Sequence, residues 1–177
     1  MFVFLKQYFY FSYPWAFHTA THLTYWILLL RIVFCNSETT SFKISVFNIY
    51  HPPSSTFFKP FSVFLDEFNS FLSFAATTPH EFIITGDFNI HLDNHSDHAT
   101  SQFLSLLLSF NLTQRVNFPT HNQNHILDLV ITSSDSSLAP SLSVTHCCPS
   151  DHFPVFTLLT AYHSLLQCST HSVVFTP

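Results

Sequence analysis

Glu81-Phe82-Ile83-Ile84-Thr85-Gly86-Asp87-Phe88-Asn89 is the stretch on which the fold turns. Its first five residues read as a short strand, apolar enough to be buried, bounded by Gly86. A carboxylate and an amide then follow two residues apart, and both could point into one cleft. Asp and Asn are also ordinary turn formers, so the tetrapeptide Gly86-Asp87-Phe88-Asn89 alone fits either a turn or a site.

Upstream, Phe42, Ile44 and Val46 alternate with Lys43 and Ser45, a strand pattern that runs on through Asn48-Ile49-Tyr50. His51-Pro52-Pro53 stops it, because proline donates no ladder hydrogen bond. Pro60 suits the first turn of a helix. Phe61, Phe64, Leu65, Phe68, Phe71, Leu72 and Ala75 then form one apolar stripe, with Ser62, Asp66, Glu67, Asn69 and Ser73 off it. Downstream, Thr100 can cap a second helix whose inner face is Phe103, Leu104, Leu107 and Leu108. Asn111 suits the left-handed residue that ends it. Strands follow at Ile126–Thr132 and Phe153–Leu159, separated by a Ser-rich loop over Ser133–Ser143. Alternating strands and helices are α/β order. No internal repeat interrupts it.

Polar groups collect at the strand ends, where α/β folds place their sites. Asp128 lies within Ile126-Leu127-Asp128-Leu129-Val130-Ile131, and a carboxylate in an apolar strand is costly unless paired. A solvated sheet face would also accommodate it. Ser150-Asp151-His152 directly precedes the last of these strands, and His152 is a natural partner for Asp128. Such a pair fixes the ring tautomer and lets the histidine act as acid, base or phosphate ligand near neutral pH. Any single histidine among 13 is more often structural.

Composition bounds the rest. The 177 residues suffice for one domain, and 47% hydrophobic against 8% charged residues argues for burial over disorder. There are 23 Phe but one Gly, where average usage of roughly 7% would supply about a dozen. Turns that need positive φ must therefore use Asn or Asp. The net charge is −5, and Lys6, Arg31, Lys43, Lys59 and Arg115 are scattered, so no basic patch for nucleic acid is visible. Cys35, Cys147, Cys148 and Cys168 match neither a zinc ribbon nor a disulfide framework, and read as reduced thiols. The apolar run Leu23–Cys35 contains Arg31 and is too short to span a membrane. No signal-peptide pattern precedes it, so Met1–Phe34 is expected to be buried or poorly folded.

The ordered motifs together resemble the endonuclease/exonuclease/phosphatase family, the DNase I fold, and within it the endonuclease domains of LINE-type non-LTR retrotransposons. Phe47-Asn48-Ile49-Tyr50-His51-Pro52-Pro53 resembles that family's N-x-Y-x-P-P segment, and Gly86-Asp87-Phe88-Asn89 its GDFN motif. Phe118-Pro119-Thr120-His121 with Ile126–Val130 resembles its PTH…LDLV stretch, and Ser150-Asp151-His152 its SDH. The resemblance runs from Phe42 to Leu159. It implies Mg²⁺-dependent (or Mn²⁺-dependent) hydrolysis of a phosphodiester in DNA. Carried over by motif, Asp87 would orient or deprotonate the attacking water, and Asn89 and Tyr50 would hold the phosphate. His152 would contact it in the transition state with Asp128 orienting the ring. Asp151 would help bind the metal, and Thr120 would line the cleft. A nuclear location would follow if the chain acts as a retrotransposon endonuclease, although no basic cluster reads as a nuclear signal.

The family also places an Asn and a metal-binding Glu in its first half. Asn36 and Glu38 are the nearest candidates here, and neither sits in a recognisable motif. The expectation is therefore a truncated α/β sandwich of endonuclease/exonuclease/phosphatase type over residues 41–160. A Phe-rich segment (1–40) precedes it and a tail (161–177) follows. One sheet would be mostly missing, the other would show an apolar face, and activity would be weak or lost. A non-catalytic retrotransposon remnant and a phosphatase of the same superfold are the alternatives. A competing signal is His91-Leu92-Asp93-Asn94-His95-Ser96-Asp97-His98: on a helix His91 and His95 would share a face for zinc, but its place after a turn favours a loop. His146-Cys147-Cys148 is a weaker metal signal, and the Asn94 and Asn111 sequons matter only in a secreted chain. No protein partner is indicated.

Overall fold

The computed structural model describes residues 3–6, 26–35, 41–53, 60–136, 138, 141–145, 150–161 and 169–176. Nine strands and two helices follow one another among them: β1 (Val3–Lys6), β2 (Trp26–Cys35), β3 (Ser41–Tyr50), α1 (Phe61–Ala75), β4 (Phe82–Asp87), α2 (His98–Ser109), β5 (Leu112–Gln114), β6 (Asp128–Ser133), β7 (Ser141–Val144), β8 (Val155–Ala161) and β9 (Ser169–Thr176). They build a five-stranded mixed sheet, β2-β3-β4-β6-β5, and a four-stranded sheet, β1-β9-β8-β7. Only β3 and β4 are parallel in the first sheet, with α1 as the crossover between them.

Strand periodicity explains the layers. On one face of the five-stranded sheet Phe47, Ile49, Ile84, Leu129 and Ile131 pack beneath α1 and α2. On the other face Ile44, Val46, Ile83 and Val130 meet Val155 of β8, with Leu138 and part of Leu142. Alternate residues thus serve opposite layers, as the two-residue period of a strand requires. A sheet with an uncovered apolar face was expected; instead the second sheet covers that face through Val155.

α1 buries Phe64, Phe68, Phe71, Leu72 and Ala75, the stripe read from the sequence. Pro60 stands one position earlier than expected, at the N-cap, and its carbonyl accepts from the Val63 N–H at 3.0 Å. The phenyl rings of Phe64, Phe68 and Phe103 stack, with centroids 5.5–6.5 Å apart, and Phe88 meets Phe68 edge-on at 5.8 Å.

α2 departs from expectation in two ways. Its cap is Asp97, whose carboxylate accepts from the Thr100 N–H at 3.2 Å, while Thr100 turns inward and donates its hydroxyl to the His91 carbonyl. Leu108 is 75% exposed. The run Leu106-Leu107-Leu108 leaves the helical phase open, and contact with α1 selects Phe103 and Leu107, with Leu106 and Phe110 half-buried beside them.

Several boundaries also move. β6 begins at Asp128, because the Ile126 and Leu127 N–H groups bond outside the ladder, to Asp93 and Thr120. β8 begins at Val155, because the Phe153 N–H donates to Thr120 and Pro154 has none. β5 had no signal, and the end of the Ser-rich loop forms β7. Part of the aromatic N-terminal stretch is strand: β2 pairs with β3 from Trp26↔Tyr50 to Cys35↔Ser41. Asn36, Glu38, His146, Cys147, Cys148 and Cys168 lie outside the described residues. Among the described residues no helix is long and apolar enough to cross a membrane.

The positive-φ positions vindicate the glycine arithmetic. Asn89, Asn111 and Asn124 take φ of 49°, 54° and 65°. Gly86, at φ +139°, is irreplaceable for a further reason: a Cβ there would stand 1.8 Å from the Ile49 carbonyl oxygen. Gly86→Ala is expected to cost about 3 kcal/mol or more of unfolding free energy in denaturant titration. In the helical layer, Phe68→Ala is expected to cost about 3–5 kcal/mol, whereas Leu108→Ser stays within about 0.5 kcal/mol.

Candidate functional site

Register brings the first polar residues together. Tyr50 pairs with Asp87 across β3 and β4, and Asp87 pairs with Asp128 across β4 and β6. Directly paired residues share a sheet face, so the three side chains form a row across three strands at one level. Their face is that of Val46, Ile83 and Val130, the face turned toward the second sheet. Ser150-Asp151-His152 enters from that sheet, just ahead of β8.

One turn joins the two sheets here. Thr120 is wholly buried, and its hydroxyl oxygen accepts from the N–H groups of Leu127 and Asp128, each at 3.0 Å. Its carbonyl accepts from Phe153 N–H at 2.7 Å, and its own N–H donates to the His125 carbonyl. His121 bridges to His152, and the Asp151 carbonyl accepts from Asn122 N–H. The turn closes through Asn124 in the left-handed region. Thr120 therefore does not line a cleft, as expected of it; it works on backbone inside the wall, holding the start of β6 against the approach to β8.

The product of that clamp is the pair expected from the sequence. His152 Nδ1–H donates to Asp128 Oδ2 at 2.9 Å, and Asp128 is 7% exposed. The hydrogen bond to Asp128 raises the His152 pKa above its ordinary value against the opposing effect of burial, with Asp87 and Asp151 adding to it. Nδ1 is committed, which leaves Nε2 as the ring nitrogen for a ligand. His121 stands edge-on to His152, centroids 5.0 Å apart, and its Nε2 lies 3.7 Å from Asp151. Asp151 is 65% exposed, and its own backbone N–H chiefly lowers its pKa.

Asp87 is held from the other side. Its Oδ1 accepts from the Asn89 N–H at 3.1 Å and its Oδ2 from the Asn89 side-chain amide at 3.0 Å. That amide nitrogen also donates to the His51 carbonyl at 2.8 Å. A carbonyl can only accept, so the NH₂ end of Asn89 faces inward and orients Asp87. His51, which the sequence singled out only as a strand stop, is buried against Phe64 and donates Nδ1–H to Phe88 at 2.8 Å. Burial lowers its pKa. Burial, then the neighbouring Asp128 charge, pushes the Asp87 carboxyl up to about 6, against His152 and Asn89, which lower it. Tyr50 is also raised, by burial first and Asp87 second.

Asp87, Asp128 and His152 thus form one group whose ligand atoms lie within 4.8 Å of one another, and His121, Asp151 and His152 form another. A hard divalent cation prefers oxygen and is commonly held by one or two carboxylates with water and substrate phosphate. Asp128 is buried and Asp87 is held at both oxygens by Asn89, whereas the Asp151 carboxylate is the exposed one of the three and fits such a cation as a protein ligand. The arrangement offers a base, a histidine polarised by a carboxylate, and a hard oxygen donor at one place. His121 and His51 were missed as members; His121 lay inside the Pro119-Thr120-His121 motif, the only signal for it.

The family described as Endonuclease-reverse transcriptase matches residues 44–156, more than half of the chain. Among curated proteins none matches. Among solved structures, the chain is similar to the endonuclease domain of TRAS1, a telomere-specific non-LTR retrotransposon. The TM-score is 0.55 at 19% identity, over 72% of this chain and 58% of that one. That likeness is one of fold, and the chain spans 58% of the length of the TRAS1 domain. A mannosyl-6-phosphatase of Bacteroides thetaiotaomicron gives 0.42 at 19% identity, over 64% and 50% of the two chains. An endonuclease/exonuclease/phosphatase family protein of the same organism gives 0.36 at 16%, over 65% and 47%.

The raised Asp87 has a consequence for stability. Its unfolded value is 3.8 and its folded value about 6, so the folded chain holds the extra proton and stability falls as pH rises between them, by at most about 3 kcal/mol. His152, also raised, loses stability in the same direction as pH rises through its folded value; His51, lowered, acts oppositely. Asp87→Asn removes the first effect together with the share of the His152 shift that Asp87 supplies. The variant is expected to gain on the unmodified chain in melting temperature between pH 4.5 and pH 7.5, and an unchanged difference would refute the shift.

Proposed function

The chain belongs to the Endonuclease-reverse transcriptase family, and on that premise we propose that its site hydrolyses phosphodiesters of DNA with Mg²⁺ or Mn²⁺. The single observation that carries this reading is the placement of Asp87 beside Asp128 across β4 and β6, with His152 brought from the second sheet to within 2.9 Å of the Asp128 carboxylate.

In-line attack of water on a phosphodiester builds negative charge on the phosphate oxygens, and catalysis is largely positioning and charge stabilisation. Asp87, ionised above about pH 6 and steered by Asn89, takes the proton of the attacking water. His152, its pKa raised chiefly by the hydrogen bond to Asp128, meets a phosphate oxygen through Nε2. Tyr50, level with Asp87 on the next strand, supplies a phenol donor to the same phosphate. Asn89 acts through Asp87, since its amide nitrogen is spent on Asp87 and His51. Asp151 would hold the cation, which would supply neutralisation of the charge on the phosphate. Thr120 and His121 are positioning residues. One carboxylate binds such a cation weakly, so millimolar metal is expected to be required.

The test is nicking of supercoiled plasmid by the purified, folded full chain. The expected result is nicking that needs Mg²⁺ or Mn²⁺, disappears in EDTA, and falls about 100-fold or more in His152→Ala. The acid limb of its pH profile should sit at about 6, the Asp87 value. A folded chain that nicks no plasmid at any metal concentration would overturn the reading in favour of a non-catalytic remnant. Hydrolysis of a small phosphomonoester without nicking would favour the phosphatase.

A further inference from the structure

The stretch His91–His98 does not form the helix on which His91 and His95 would share a face; it is a loop, and His98 opens α2. The fold instead carries a different partner to His91. His91, Asp93 and His125 each present a ligand atom within 4.8 Å of the other two. Asp93 Oδ2 is 3.0 Å from His125 Nδ1, and the rings of His91 and His125 meet edge-on with centroids 4.2 Å apart.

We propose that His91, Asp93 and His125 form a binding site for a borderline transition-metal ion of the zinc class, separate from the site described above. Two imidazole nitrogens and one carboxylate oxygen are a donor set for zinc, with a fourth position for water; magnesium and calcium prefer oxygen throughout. Around a tetrahedral zinc with bonds of about 2.0–2.1 Å, ligand atoms lie roughly 3.3 Å apart. Asp93 and His125 are already near that separation. His91, an exposed side chain, has at most about 1.5 Å to close, a rotamer adjustment.

The backbone holds this group in place without metal. Leu92, between the two outward residues, is buried in the core, and its N–H donates to the Ile126 carbonyl at 3.3 Å. Asp93 Oδ1 accepts from the Ile126 N–H at 3.0 Å, which orients the carboxylate. The His91 carbonyl accepts the Thr100 hydroxyl at 3.0 Å. His121 is not a member: its Nδ1 accepts from Gln123 N–H and its Nε2 faces Asp151. A bound ion would displace the proton shared by His125 and Asp93. It would clip the loop after β4 to the turn whose His125 carbonyl receives the Thr120 and His121 N–H groups, behind Asp128.

The experiment uses the full chain, stripped of metal and titrated with ZnCl₂ alone against a chromophoric competitor, with melting temperature as a second readout. At least one equivalent is expected to bind and raise the melting temperature, while MgCl₂ at the same concentration does neither. The equivalent weakened in His91→Ala is retained in His121→Ala. His91→Ala, at an exposed position, should leave the metal-free melting temperature unchanged and weaken binding about tenfold or more. Asp93→Asn should weaken it likewise, and the double variant His95→Ala/His98→Ala should bind as the unmodified chain does. The proposal is overturned if the unmodified chain binds no zinc, if His91→Ala retains full affinity, or if His95→Ala/His98→Ala abolishes binding.

Discussion

The close approach of Gly86 to Ile49 is the constraint on which the rest depends. The carbonyl of Ile49 occupies the space a side chain at position 86 would need. β3 and β4 can therefore come together in this register with glycine there and with nothing larger. In that register Tyr50 stands beside Asp87, and Asp87 beside Asp128. A slip of one residue would send each of these side chains to the opposite face, into the aromatic layer under the helices. The single glycine of the chain is spent where the polar row is set.

The second dependency is the turn from Pro119 to Leu127. Isolated carboxylates are expensive to bury, and Asp128 is buried. It is tolerated because Thr120 bonds its backbone N–H while holding Phe153, so that His152 arrives within hydrogen-bond distance of its side chain. The same crowding raises Asp87, which must ionise next to Asp128. Strain of this electrostatic kind is what a site with a base near neutrality requires, and it is sustained by packing elsewhere. The stacked phenyl rings of α1 and α2 against Phe88 supply that packing directly beneath the Asp87–Asn89 turn. His51 links the two layers, with its ring on Phe64 and its Nδ1–H on the Phe88 carbonyl.

The sequence by itself determined the α/β alternation, the inner face of α1, the use of Asn at positive φ, and the identity of the Asp128–His152 pair. Each of these is written in short-range pattern: a 3.6-residue stripe, a residue type suited to a backbone angle, a charge within an apolar run. The family resemblance added Tyr50 and assigned roles to Asp87, Asn89 and Asp151, and the family match over residues 44–156 agrees with the resemblance as to family. Only the tertiary structure decided the phase of α2, where three consecutive leucines leave the period open. It alone decided the pairing of β2 with β3, and the cover that the second sheet gives the first. It also turned Thr120 inward, gave Asn89 to Asp87, and brought His125 to His91 and Asp93 rather than His95. These outcomes depend on which distant backbone groups compete for one donor or acceptor, and that competition is settled by packing between elements, beyond the reach of any local periodicity.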